Sequence, residues 1–318
     1  MASAFDERPF DRLRTAPDAA QIQQAIVETL IYADLFDFPL SFDEIARYLT
    51  VPADPETIRR LLDEGSRDGV FARSDGLFTL PGRTQLVALR ARRQAIAQQK
   101  WAAVRRPLRW IARLPFVRMV AVTGSLAVNN VEEADDVDLF IATTTGRLWL
   151  CRAFVILVVR LAARFGVTVC PNYFLSERRL SLDAQSFFDA RELTQMRPLY
   201  GADVYFQMRD LNGWVAAYLP RASGPPGETS WIELNRYERA AKRLLEQLFS
   251  GRLGGWLDAW EMRRKVRRFA LRTQSGSGRV LFNADCCKGH FDGHGEIIPR
   301  RFAKRLAQYG LAKEKIDG

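Results

Sequence analysis

At 318 residues and 47% apolar content, the chain is long enough for about two globular domains and too apolar for a disordered one. Its longest unbroken apolar run, Ala153 to Val159 between Arg152 and Arg160, falls far short of the roughly 20 residues that span a bilayer, so no membrane partner is expected. The net charge of +10 is concentrated: Leu77 to Val131 holds no Asp or Glu but ten cations, Arg83, Arg90, Arg92, Arg93, Lys100, Arg105, Arg106, Arg109, Arg113 and Arg118.

Residues 1–20 are polar, carry Pro9 and Pro17, and read as a loose leader. Asp6, Glu7 and Asp11, with no apolar stretch, do not fit a secretory signal. From Ile22 to Phe36 the spacing of Ile22, Ile26, Leu30, Ile31 and Leu35 predicts an amphipathic helix, which Pro39 ends. Ser41 with Glu44 three residues on predicts a capping box for a short helix over Phe42 to Leu49. Asp54 and Pro55 open a third helix whose apolar side is Ile58, Leu61 and Leu62. Ser74-Asp75-Gly76 between two short apolar runs then signals a tight hairpin. Three helices and a hairpin over 21–82 predict a winged helix-turn-helix. Its candidate recognition helix is not basic, because Glu56, Asp63, Glu64 and Asp68 offset Arg59, Arg60 and Arg67. A docking or structural role is therefore favoured over binding to duplex DNA.

Residues 83–115 predict a basic connecting helix, Arg83 to Ile111, that breaks near Pro115. The cationic stripe over 77–131 is either a solvated helix face or a surface for an anionic partner, nucleic acid included. A core over 116–222 follows: a strand from Val117 to Val122, a Gly-Ser turn, an acidic loop, a strand from Val137 to Ala142, an apolar helix from Arg147 to Phe165 and a strand from Val167 to Leu175. This is an α/β (α+β) pattern whose sheet faces are mostly covered. Beyond Ala190 the chain turns helical. Residues 223–318 predict a helical C-terminal region with Gly224-Pro225-Pro226-Gly227 as an exposed bend and helices around Trp231 to Phe249 and Leu253 to Arg272.

The chemistry centres on Thr123-Gly124-Ser125 and Asp136-Val137-Asp138. Gly124 permits a sharp turn and close approach of backbone to a phosphate, and Ser125 adds a hydroxyl donor. Residues two apart on a strand face one side, so Asp136 and Asp138 present two carboxylates to one point while Val137 and Leu139 face the core. Such a pair suits Mg²⁺ (or Mn²⁺), hard cations that take oxygen ligands and the phosphates of a nucleotide. Glu132, Glu133 and Asp135, just ahead of the pair, read as a solvated loop.

This segment resembles the nucleotidyltransferase superfamily that includes DNA polymerase β, whose signature is an apolar residue, Gly, Gly or Ser, a spacer of about ten residues, and Asp-x-Asp between apolar residues. The wider chain looks like bacterial nucleotidyltransferase-domain proteins that begin with a winged helix, through Tyr32-Ala33-Asp34-Leu35-Phe36-Asp37, Asn172-Tyr173-Phe174-Leu175 and Arg191-Glu192-Leu193 leading to Pro198-Leu199. The resemblance implies a polymerase-β-like core, an NTP substrate, and transfer of a nucleoside monophosphate to an unidentified acceptor with release of pyrophosphate. Gly124 and Ser125 would hold the terminal phosphates, and Asp136 and Asp138 would ligate the metal. The superfamily commonly places a third carboxylate on a later strand, where this chain offers Asn172. Either Glu192, or else Asp183 or Asp189, supplies that charge, or the protein is a nucleotide-binding winged-helix regulator or scaffold without turnover.

Near the C-terminus, Cys286, Cys287, His290 and His294 raise zinc as an idea, but adjacent cysteines lack the usual ligand spacing, and a glycine-rich loop near the active site is an equal alternative. Cys151 and Cys170 lie in apolar segments and read as packing residues. Four cysteines, two of them adjacent, do not make a disulfide framework, so a reducing cytoplasm is expected.

Overall fold

The structure, a computed structural model, describes residues 16–273, 281–288 and 294–311, the side chains of 268–273, 281 and 294 excepted. Three helices come first: α1 (Ala19–Asp34), α2 (Phe42–Tyr48) and α3 (Pro55–Arg67). Each begins where a side chain accepts an otherwise orphaned backbone N–H. Asp18 with Gln21 and Ser41 with Glu44 form reciprocal capping boxes, and Asp54 accepts from Thr57 ahead of Pro55. Beside them β1 (Leu40–Ser41), β2 (Ala72–Ser74) and β3 (Leu77–Thr79) form an antiparallel sheet in the order β1-β3-β2. Asp75 and Gly76 both take positive φ, as a two-residue hairpin turn requires.

Helix α4 (Leu86–Arg113) follows, and here the basic stripe is largely accounted for. Arg83 pairs with Asp34 and Asp37, Arg90 with Glu44, Arg93 with Glu132, Arg109 and Arg113 with Glu238, and Arg118 with Glu246. Lys100 donates to the carbonyls of Glu133 and Asp135 at 2.9 and 2.7 Å. Arg92, Arg105 and Arg106 are the members of the stripe left exposed without an ion pair among the described residues. The sequence shows the cations but not their carboxylates, most of which lie dozens of residues away. The stripe is therefore mainly an internal clamp, and the reading of 77–131 as a nucleic-acid surface loses most of its charge.

A six-stranded sheet forms the centre, in the order β7-β4-β5-β6-β9-β8. Its strands are β4 (Val117–Thr123), β5 (Val137–Thr143), β6 (Val169–Ser176), β7 (Arg197–Tyr200), β8 (Leu281–Phe282) and β9 (Cys286–Lys288). β5 and β6 are parallel, joined by α6 (Leu148–Ala163), and the remaining pairs are antiparallel, so the class is mixed α and β. One expectation changes. The chain beyond Ala190 is not purely helical, because β7, β8 and β9 complete this sheet. These strands of two to four residues are too short to show a period of two, and only pairing defines them.

One face of the sheet, with Met119, Ala121, Phe140, Ala142 and Leu175, shares a continuous core with α1–α3 and with α7 (Phe187–Gln195), α8 (Ala202–Leu211) and α11 (His294–Gln308). The other face, with Val120, Val122, Leu139, Ile141 and Phe174, packs under α4 and α6, and outside these lie α9 (Arg236–Leu248) and α10 (Arg252–Thr273). The N-terminal helices are tied down by polar contacts as well. Arg47 donates to the carbonyls of Thr194, Ser223 and Gly224, Arg221 donates to that of Ala53, and the buried Arg191 guanidinium lies between the rings of Tyr32 and Tyr48 at 4.5 and 4.1 Å. Among the described residues no helix is long and apolar enough to cross a membrane.

Candidate functional site

The site forms where β4 ends against the start of β5. Thr123 lies directly opposite Asp138 in the antiparallel pair, and the chain then turns at Gly124 into a single helical turn, α5 (Gly124–Ala127). Gly124 has φ +67°, and a Cβ there would overlap Oδ2 of Asp138. Glycine is required twice over, by backbone conformation and by close approach of the carboxylate. Gly124→Ala is accordingly expected to destabilise the fold by about 1–3 kcal/mol and to displace Asp138. Urea denaturation checks the first effect; an unchanged midpoint would show that the turn needs no glycine.

Asp136 is exposed and Asp138 half-buried, while Val137 and Leu139 are buried, so the alternation expected of the strand holds. Burial, and the charge of Asp136, push the Asp138 carboxyl up to about 6. The acidic loop before the pair is not simply solvated: Lys100 and Arg93 on α4 hold it, and Asp135 accepts from the backbone N–H of Glu132 at 3.0 Å.

The neighbouring strand β6 carries a one-residue slip. Asp138 pairs with Cys170, but Phe140 pairs with Tyr173, so an extra residue is accommodated around Pro171 and Asn172. Proline lacks the N–H a regular ladder needs, and bulges of this kind redirect a side chain. The result is that the Asn172 amide donates to Oδ1 of Asp138, and its own oxygen accepts from the Cys170 thiol at 2.8 Å. Cys170 is thus half-exposed and hydrogen-bonded, not a packing residue, whereas Cys151 is buried as expected.

Glu192 reaches the same region from α7, which packs against α5. Burial first, then the charges of Asp138 and Asp189, raise its carboxyl to about 7. The two other acids named from the sequence are engaged elsewhere. Asp189 caps its own helix by accepting from the backbone N–H and the hydroxyl of Ser186, and Asp183 is exposed and paired with Arg179. Ser125 is half-buried in the turn. Lys288, on β9, was not foreseen. It pairs with Tyr173, which pairs with Phe140, so it faces the same side of the sheet as Asp138; its ammonium is 5.2 Å from the Tyr173 ring and its charge opposes the rise of the Glu192 carboxyl. No sequence pattern marks it, because a three-residue strand has no readable period.

The geometry excludes Cys286 and Cys287 as a joint pair of zinc ligands. Cys286 and Cys287 are successive residues of β9, buried in the cores on opposite sides of the sheet, and cannot ligate one ion together. Burial pushes the Cys287 thiol up to about 11, away from the thiolate a metal needs. His290 and the side chain of His294 lie outside the described residues.

Among the described residues no group of three or more His, Cys, Asp or Glu side chains is arranged to hold a metal. A divalent ion carried in by a nucleotide needs less, since Mg²⁺ retains waters and takes one or two carboxylates along with phosphate oxygens. Asp136 and Asp138 fit that smaller demand: the charge of Asp136 adds to the cost of ionising Asp138 at a strand mouth, and a cation relieves it. No family model, curated protein or solved structure matches this chain.

Proposed function

We propose that the protein is a Mg²⁺-dependent nucleotidyltransferase, with a polymerase-β-like core, an N-terminal winged helix and a C-terminal region that carries α9, α10, α11, β8 and β9. The observation that carries the reading is the packing of the Asp138 carboxylate against Gly124. It sets the Gly124 turn beside the second carboxylate of the Asp136-x-Asp138 pair, on an antiparallel β4–β5 pair followed by a parallel β6, and this supports the reading. Asp136 and Asp138 would hold Mg²⁺ (or Mn²⁺), which when bound neutralises triphosphate charge and acidifies an attacking hydroxyl.

The chain's own residues would do the rest. Gly124 and Ser125 would receive the terminal phosphates of the NTP. Glu192, a carboxyl poised near neutrality, would take the proton of the acceptor hydroxyl as its oxygen bonds to the α-phosphorus and the bond to pyrophosphate breaks. Lys288 would offset the negative charge gathered there. The winged helix would act by docking: Arg60 and Arg73 are paired with Glu64 and Asp63, and the loop at 221–224 is bonded to α2 and to Ala53.

Asn172 favours a second reading. It stands beside Asp138 where an acid would serve better as ligand or base, and supports nucleotide binding without turnover in a regulator or scaffold. Incubating the protein with each labelled NTP, Mg²⁺ and total cell extract separates the two. A labelled acceptor with stoichiometric pyrophosphate is expected. Saturable nucleotide binding with no pyrophosphate from any NTP would move the assignment to the second reading.

A further inference from the structure

The helices α9 and α10 are built inside out. On α9 the stripe Glu238, Lys242 and Glu246, spaced by four, faces inward: the two glutamates pair with Arg109, Arg113 and Arg118, and Lys242 donates to the carbonyls of Ala112 and Val117 at 2.8 and 2.7 Å. On α10 the acids are also turned in. Asp258 accepts from the backbone N–H of Leu150, and the buried Glu261 pairs with Arg264. Their solvent faces carry large apolar side chains, with Leu244 and Leu248 on α9 at 67% and 65% exposure and Trp256 and Trp260 on α10 at 58% and 47%.

The neighbouring α6 behaves alike. It contains no acid, and Leu157 and the following Phe165 are 68% and 72% exposed. The three helices lie on one side of the sheet. α10 packs on α6, and Arg147 at the start of α6 donates to the carbonyls of Phe249, Ser250 and Gly251 between α9 and α10. The exposed charges interleaved with the apolar residues are all cationic: Arg160 and Arg164, Arg239 and Arg243, Arg263 and Arg267.

We propose that the outer faces of α6, α9 and α10 form a surface that docks on a bilayer containing anionic phospholipid. Charge complementarity selects this occupant. A second copy of the chain would bring arginine against arginine, and a nucleic-acid backbone would leave the leucines without a counterpart. A lipid interface takes both kinds of group, burying leucine and tryptophan at the headgroup boundary while phosphates meet arginine. The short apolar runs exclude insertion across the bilayer, not attachment to its surface.

Vesicle flotation of the full chain tests this, comparing phosphatidylcholine alone with an equal mixture of phosphatidylcholine and phosphatidylglycerol. Binding to the mixture is expected to be at least about tenfold tighter, and to fall by about tenfold or more both in Leu248→Glu with Trp256→Glu and in Arg239→Glu with Arg243→Glu. All four positions are exposed, and an unchanged circular-dichroism melt confirms the fold of each variant. Equal binding to both vesicles, no binding to either, or variants that float like the parent would overturn the assignment. So would a concentration-dependent dimer that Leu248→Glu with Trp256→Glu dissolves, which would give the face to a second copy.

Discussion

Replacing Asp136 and Asp138 together by asparagine is expected to lower nucleotidyl transfer by about a thousandfold or more, equivalent to ~4 kcal/mol of transition-state stabilisation. The fold should be untouched. An asparagine at 138 still offers an oxygen to the Asn172 amide, and the change removes a carboxyl that burial and the charge of Asp136 already hold up at about 6. The two carboxylates also repel an unaccompanied triphosphate, so the direction of the nucleotide-binding effect depends on the metal. By calorimetry, the double variant should bind NTP more weakly than the parent in Mg²⁺ and more tightly in excess chelator. A merely structural pair would shift both affinities the same way, and that result would remove the aspartates from the proposed machinery.

The parts of this site that were legible in the sequence are the local ones. A glycine turn and an Asp-x-Asp at a strand mouth depend on conformation and period within a few residues, and the structure has Gly124 in a positive-φ turn and Asp136-x-Asp138 at the start of β5. Asn172 was legible as a missing acid but not as a partner. Its bond to Asp138 depends on a register slip in β6 that only strand pairing reveals. The sequence offers Glu192, Asp183 and Asp189 as alternatives, and what separates Glu192 from the other two is where hydrogen bonds and ion pairs take them.

Charge was the least legible property. The stripe on α4 and the inward stripe on α9 are halves of one arrangement: Arg109, Arg113 and Arg118 are matched by Glu238 and Glu246, at separations of 125 to 129 residues. Read singly, the first half looks like an anion-binding surface and the second like a solvated helix face. Together they bury one another and leave the apolar side of α9 outward. Composition reports how much charge a chain carries, whereas long-range pairing decides which surface shows it.

Glu192→Gln should lower transfer by about a hundredfold or more while making the metal-free protein more stable above neutral pH. The carboxyl is raised from 4.5 to about 7, chiefly by burial and then by Asp138. Between those values the folded state holds a proton that the unfolded chain has lost. Stability therefore falls as pH climbs from about 4.5 to about 7, and the full cost is present above that window. Glutamine carries no such cost. Urea denaturation in chelator should give the variant an advantage of about 1–2 kcal/mol at pH 8 that shrinks towards zero near pH 4. A glutamate retained for chemistry gives this combination of lost activity and gained stability. A variant that lost both would make Glu192 a structural residue, and the proton acceptor would have to be sought elsewhere.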